Sequence, residues 1–296
     1  MATFRLRLTR INYAVAAAIA AFASIAIIVR FAVSERGQPA RCAPGLDAQG
    51  ARCCGVGQLL GPTGQCTGGA ASCPKAMIKD DSGACVLLER RILFPAGTSH
   101  LGAADWEGAP QRSREVRVAS FELDQAEVTV ARFRACAAAD QCPNIPVDGE
   151  PGRPIRNVSP AEAARFCAFA GGDLPSSDEW LFAAGGPSGR RYPWGNTGLV
   201  CRRASFGLVR GPCAQDGSGP ELAGARPDGA SPEGVLDLAG NVAEWTREPD
   251  GSIVARGGSY RSEQAGELKT SAFEARQTRA PYIGFRCAYA ASELAR

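Results

Sequence analysis

Three stretches of different hydrophobic character follow one another along the chain. Arg5, Arg7 and Arg10 precede a predominantly apolar run without charge from Ile11 to Val29, and Arg30 interrupts it before Phe31-Ala32-Val33. Such a run, at ~1.5 Å rise per residue, nearly spans a hydrocarbon core of ~30 Å. The pattern predicts a cytoplasmic N-terminus over 1–10 and a transmembrane signal anchor over 11–33. Arginines ahead of the run place everything after it outside the cytoplasm. A cleaved signal peptide is the competing reading, but the run is long for one and no clear small-x-small site follows. A buried core helix fits the arginine-rich flank less well.

From 34 to 89 large apolar residues are too sparse to build a core, whereas a mixed pattern begins near Arg91-Ile92-Leu93-Phe94-Pro95-Ala96-Gly97. That opening predicts an apolar strand and then a turn. Thr129 is placed to cap a helix with Val130, Phe133 and Ala137 facing inward. Ser159-Pro160-Ala161-Glu162 reads as a capping box with proline at the first helical position. Its helix presents Ala163, Phe166, Cys167 and Ala170 to the core and stops at Gly171-Gly172. Ser176-Ser177-Asp178-Glu179 is a second capping box, opening a short helix through Trp180 and Phe182 that ends at Gly185-Gly186.

Composition narrows the picture. The net charge of +3 is too small to argue for nucleic acid, and the arginines form no run. The 35 glycines and 20 prolines point to a loop-rich domain. His100 is the only histidine, which excludes a metal centre built from several imidazoles of one chain. The 12 cysteines divide into six between Cys42 and Cys85 and six between Cys136 and Cys287, as expected of disulfide sets in an oxidising compartment. The first six form a repeat. Cys42 to Cys53, Cys54 to Cys66, and Cys73 to Cys85 each enclose ten or eleven residues and close shortly after a glycine. The repeat suggests pairing within each unit and a stapled stalk over 34–89. A zinc site is the alternative, but no CxxC pair is present. Cys136 with Cys142, and Cys201 with Cys213, are close enough in sequence to pair locally.

Ordered motifs then add a resemblance. Asp173-Leu174-Pro175-Ser176-Ser177-Asp178-Glu179-Trp180, Tyr192-Pro193-Trp194-Gly195-Asn196, Gly240-Asn241-Val242-Ala243-Glu244-Trp245, Arg256-Gly257-Gly258-Ser259-Tyr260 and Gly284-Phe285-Arg286-Cys287 follow one another through the second half. Together with Phe121-Glu122-Leu123-Asp124 and Glu127-Val128-Thr129, they resemble the formylglycine-generating enzymes, or sulfatase-modifying factors, over roughly 90–290. The resemblance implies an α+β fold related to C-type lectins, with 291–296 as a tail. It pairs Cys167 with Cys287. It implies a structural Ca²⁺ held by the Asp237 side chain, the Gly240 and Val242 carbonyls and the Glu244 carboxylate. Pairing of Glu244 with an arginine, such as Arg256, is the competing role. A second, eroded calcium site would use Ser205 in place of an asparagine, the Phe206 carbonyl, Asp216 and the Ser218 carbonyl. Asp173 stands where the family has arginine.

The family oxidises a substrate cysteine with two cysteines of its own, and these positions fall at Ser262 and near Glu267. A hydroxyl neither binds copper nor exchanges with a thiol as a thiolate does, so neither copper nor formylglycine-generating activity is expected. The family branch that makes sulfur-containing histidine derivatives uses a histidine cluster absent here. The expectation is therefore a single-pass envelope protein with its C-terminal domain in the periplasm or outside. Its groove, with Tyr260, Ser262, Glu267 and Arg276, serves as a binding or scaffold site for a protein or peptide. An oxidoreductase with a diverged site is the alternative.

Overall fold

The computed structural model describes residues 90–101, 114–147, 149–198, 201–214 and 219–291, with short stretches between 42 and 87. The apolar run at 11–33 lies outside the described residues. Among those described, no helix is long and apolar enough to cross a membrane.

The cysteine repeat folds as three small antiparallel hairpins: β1 (Leu46–Gln49) with β2 (Arg52–Gly55), β3 (Leu59–Leu60) with β4 (Cys66–Thr67), and β5 (Met77–Lys79) with β6 (Cys85–Leu87). The closing cysteine of each repeat unit lies on the second strand of its hairpin. Cys42 and Cys54 are each disulfide-bonded. The pairings Cys42–Cys53, Cys54–Cys66 and Cys73–Cys85 involve side chains outside the described residues.

The larger domain starts at β7 (Arg91–Phe94), followed by a hairpin of β8 (Gly97–Leu101) and β9 (Arg114–Val118), and by β10 (Phe121–Asp124). β10 is the centre of a three-stranded antiparallel sheet, flanked by β7 and by the last strand, β15 (Ala288–Ala290). The beginning and end of the domain are thus joined through one strand.

The three sequence-marked helices form where their caps place them. Thr129 accepts from the Arg132 amide at the start of α1 (Val130–Ala138). Both capping boxes are complete, at Ser159/Glu162 for α2 (Pro160–Phe169) and Ser176/Glu179 for α3 (Ser177–Gly185). A cap of this kind satisfies orphan amides that otherwise fray the first turn and contributes about 1 kcal/mol. Cys136, rather than Ala137, is the third fully buried position of α1, and Ala137 packs at the edge of the core.

One core joins α1 and α2 to a second sheet through Phe133, Phe166, Phe285 and Trp245. That sheet runs in the order β13 (Phe273–Ala275), β12 (Ile253–Arg256), β11 (Ala243–Arg247), β14 (Ile283–Gly284), with only the β11–β14 pair parallel. Another core packs α3 against the β8–β9 hairpin around stacked Phe94 and Phe121, with ring centroids 4.9 Å apart. Disulfides Cys136–Cys142, Cys167–Cys287 and Cys201–Cys213 are formed as expected. Cys167–Cys287 ties α2 to the stretch before β15 across 120 positions.

Candidate functional site

The groove is built where β12 ends. Gly257 and Gly258 take positive φ values of 89° and 66°, which side chains other than glycine's rarely adopt. A Cβ on Gly258 would also sit 2.8 Å from the Glu267 carbonyl oxygen. The chain then turns tightly: the Ser262 amide donates to the Ser259 carbonyl at 3.0 Å, and the Ser259 amide donates to Ser262 Oγ at 3.1 Å. From behind, the Leu208 amide reaches the Tyr260 carbonyl at 2.9 Å and the Gly207 amide the Ser262 carbonyl at 2.7 Å. Past this turn, a 3-10 turn at Ala265–Leu268 carries Glu267. Its Oε1 accepts from the Glu263 and Gln264 amides at 3.2 and 2.9 Å.

Together these segments and β13 enclose a pocket of about 220 Å³. Ser262 and Glu267 line it, with Arg261, Phe273, Glu274 and Tyr282 among the other walls. The remaining two groove candidates are placed differently. Tyr260 is buried in a small core with Tyr192, Phe206 and Leu268, and its hydroxyl donates to the Pro281 carbonyl at 3.4 Å. Arg276 works through a neighbour: its Nε donates to Glu274 at 2.6 Å, and the Tyr282 hydroxyl donates to the same carboxylate at 3.0 Å. Burial raises the Tyr282 pKa, and the Glu274 carboxylate raises it further. The phenol is therefore a hydrogen-bond donor at neutral pH. No histidine lines the pocket; His100 lies on β8, largely exposed, beside Glu115. Ser262 thus has no imidazole beside it, and its Oγ accepts from the Ser259 amide. Every described cysteine of the domain is in a disulfide, so the pocket offers hydroxyls and carboxylates and no thiol.

A second polar centre lies inside the domain. Glu244 is matched to Arg286, not to Arg256. Arg286 Nη2 donates to Oε1 and Nε to Oε2, both at 2.7 Å, and Trp180 Nε1 adds a third bond at 2.8 Å. Arg256 instead pairs with Glu248 at 2.7 Å and with Ser177 at 3.2 Å. Arg286 also binds the carbonyls of Asp124, Gln125 and Leu236. Asp173 forms an exposed pair with Arg247 at 3.0 Å.

Three bonds occupy the Glu244 carboxylate, and the neighbouring acids are less well supplied. Glu127 is 2% exposed, and its carboxyl has no partner but the neighbouring Asp237 carboxyl, with which it can share a proton. Burial drives its pKa well up, with Asp237 and Glu244 adding repulsion and Arg286 opposing it. Asp237 is pushed up to about 6, first by burial, although the Gly224 amide donates to it at 2.5 Å. Three buried carboxylates thus face one guanidinium. Protonation of Glu127, the direction in which its pKa moves, relieves that imbalance, and a divalent cation held by Glu127 and Asp237 would be the other way to do so. Among the described residues no three acidic, histidine or cysteine side chains converge as a metal cluster. Backbone carbonyls such as those of Gly240 and Val242 would have to complete the shell. Glu127 is the residue that the sequence reading missed. Its signal was an acid set between Ala126 and Val128, in a segment that is otherwise core.

At the second calcium position only Ser205 and Phe206 are described. Ser205 Oγ donates to Glu221, which is paired with Arg226 at 2.6 Å, both side chains 1% exposed. Phe206 is buried in the small core behind the groove. Asp216 and Ser218 lie outside the described residues.

Comparison with known proteins agrees with this architecture. The mouse protein named inactive C-alpha-formylglycine-generating enzyme 2 is 35% identical over 47% of this chain and 49% of its own length. A formylglycine-generating enzyme of Streptomyces coelicolor is 32% identical over 48% of this chain and 54% of its own. Hercynine oxygenase of Mycolicibacterium thermoresistibile is 37% identical over 34% of this chain and 22% of its own. The chain therefore spans about half the length of the first two and less of the third. Two solved structures share the fold: Treponema denticola variable protein 1, with a TM-score of 0.54 and 20% identity over 69% of this chain and 95% of that one, and PvdO from Pseudomonas aeruginosa, with 0.53 and 19% over 75% and 100%. The family model described as the sulfatase-modifying factor enzyme 1-like domain matches residues 80–291. With most of its length inside that match, the chain belongs to the sulfatase-modifying factor enzyme 1-like family.

Proposed function

We propose that this domain is a binding module that has kept the family's groove and lost its thiol chemistry. The observation that carries the reading is the pair Ser262 and Glu267 in the pocket wall. One is tied into the turn by the Ser259 amide, and the other is committed to capping the next turn. Neither can form the thiolate that copper binding or thiol exchange needs. The name of the mouse relative, which declares it inactive, supports the same reading. The occupant is a protein or peptide segment, held by the hydroxyls, the two glutamates and the aromatic walls of the pocket. The alternative, an oxidoreductase with a diverged site, is favoured by the relatives named as oxygenase and formylglycine-generating enzyme.

The test is direct. The exported part of the chain, incubated with a Cys-x-Pro-x-Arg peptide and copper, is expected to leave the cysteine unchanged by mass spectrometry. Appearance of the aldehyde with the unaltered protein overturns the reading.

The domain works, in this proposal, outside the cytoplasm and behind a membrane anchor, as the arginine-flanked apolar run and the disulfides suggest. A structural calcium ion at Glu127 and Asp237 belongs to the same proposal. By mass action such an ion contributes ~2.7 kcal/mol at a hundredfold excess over its dissociation constant. A chelator should therefore lower the melting temperature of the wild type. Asp237→Ala should abolish that response by removing a ligand, and Glu127→Gln should do so while relieving repulsion in the ion-free protein. A wild-type melting curve indifferent to chelator removes calcium from the proposal.

A further inference from the structure

The loop behind the groove is held by charge, and the charge comes from the chain itself. Arg226 is 1% exposed. Its Nε and Nη2 grip both oxygens of Glu221, at 2.6 and 3.0 Å, and its Nη1 donates to the Cys201 carbonyl. The same Glu221 carboxylate accepts from Ser205 Oγ, and the Glu221 amide donates to Asn241 Oδ1 at 2.8 Å. The guanidinium–carboxylate pair thus fastens the disulfide loop Cys201–Cys213 to the segment at 221–226, and the Glu221 backbone amide ties in the turn at Gly240–Asn241. The Asn241 amide closes the circuit on the Ser205 carbonyl at 2.8 Å. Gly240, with φ of 87°, comes so near that a Cβ there would sit 2.6 Å from the Ser205 carbonyl oxygen.

Gathering loop segments by drawing oxygens onto one positive centre is what a calcium ion does in a loop-rich domain. Here the oxygens of Ser205 and Cys201 are gathered through Glu221 and Arg226 instead. The disulfide loop from Cys201 to Cys213 contains Arg202, Arg203 and Arg210 and no acidic residue. A divalent cation at Ser205 and Phe206 would stand beside a buried guanidinium whose own partner is already neutralised, in a medium that screens charge poorly.

We propose that Arg226 is a built-in cation that replaces the family's second calcium, so that the wall behind the groove is set without a metal. That wall is the loop whose Gly207 and Leu208 amides hold Ser262 and Tyr260. The proposal does not depend on what the groove binds.

The experiment is calcium binding by the full chain in its membrane-mimetic preparation, stripped with chelator and titrated with calcium alone up to millimolar concentration. The wild type is expected to bind at most one ion per chain. The double variant Glu127→Gln/Asp237→Asn is expected to bind none and to keep a melting curve that calcium does not move. Two ions in the wild type, or one stoichiometric ion in that double variant, overturns the proposal. A second arm examines Arg226. Arg226→Met leaves Glu221 buried without its partner and should lower the melting temperature strongly. Glu221→Gln with Arg226→Met should recover part of that loss, because the uncompensated charge is gone. If Arg226→Met does not fold, the double variant is compared with the wild type and with Glu221→Gln alone. A melting temperature for Arg226→Met within a degree of wild type, or a double variant less stable than both single variants, overturns the proposal.

Discussion

Replacing Arg286 with methionine is expected to cost the fold about 3–5 kcal/mol, the range seen when one member of a buried ion pair is removed. Arg286 is fully buried and makes two bonds to Glu244 and three to the carbonyls of Asp124, Gln125 and Leu236. It is also the positive charge that opposes repulsion around Glu127 and Asp237. Its loss leaves three buried carboxylates with no counter-charge from that side chain, together with carbonyls deprived of their donor. A domain of this size is stable by roughly 5–15 kcal/mol, so the loss is a large fraction of the total. Lysine should rescue little, since an ammonium cannot reproduce the forked grip on both Glu244 oxygens. Urea unfolding of the three proteins checks this. Arg286→Met with Glu244→Gln should recover part of the loss, because it removes one of the stranded charges. A loss below about 1 kcal/mol for Arg286→Met would show that water or another group replaces the guanidinium.

Removal of the Cys167–Cys287 disulfide by serine substitution at both positions is the second large effect. In the loop-entropy account, a cross-link closing a loop of about 100 residues stabilises by ~4.7 kcal/mol, against ~3 for one of about 15. Cys167 and Cys287 are 120 positions apart, whereas Cys136 and Cys142 are six apart. The long link should therefore cost about 2–5 kcal/mol to remove, more than the short one. Both sulfurs are fully buried in the core with Phe166 and Phe285, so serine adds the burial of two hydroxyls to the loss. The Cys136–Cys142 variant, measured beside it in urea, sets the scale. An equal or larger loss for the short link would mean that local geometry around α1, rather than chain entropy, dominates disulfide stability here.

Local elements were legible because their determinants are local. Ser159 with Glu162, and Ser176 with Glu179, each mark a helix start within four residues, and both helices begin there. The cysteine spacing announced a repeat, and the repeat folds as three hairpins. The motif order around Gly240-Asn241 and Gly257-Gly258 placed Ser262 and Glu267 in the groove, where they line the pocket. Glycines are forced at such turns by backbone angle and close approach, and those constraints leave a mark on the sequence itself.

The partners of buried charges were not legible in the same way. Glu244 faces Arg256 across β11 and β12, in direct cross-strand register, and Arg256 was the arginine named from sequence as its possible partner. The strand pairing sets their Cα atoms opposite one another, but the two side chains leave for different neighbours. Glu244 finds Arg286, 42 positions away, and Arg256 finds Glu248 and Ser177. Glu127 meets Asp237 only because β10, α1 and the loop before β11 are brought together by the core. In the same way Ser205 meets Glu221 and Arg226 only in the folded loop. Coulomb energy in a buried site depends on distance and local dielectric, and neither has a counterpart in residue order. Taken alone, the sequence determined the three helix starts, the cysteine repeat, the local disulfides of the larger domain and the absence of cysteine at the positions of the catalytic thiols. Tertiary structure alone decided which charges balance, because only packing fixes which acids lose their water and which guanidinium stands near enough to replace it.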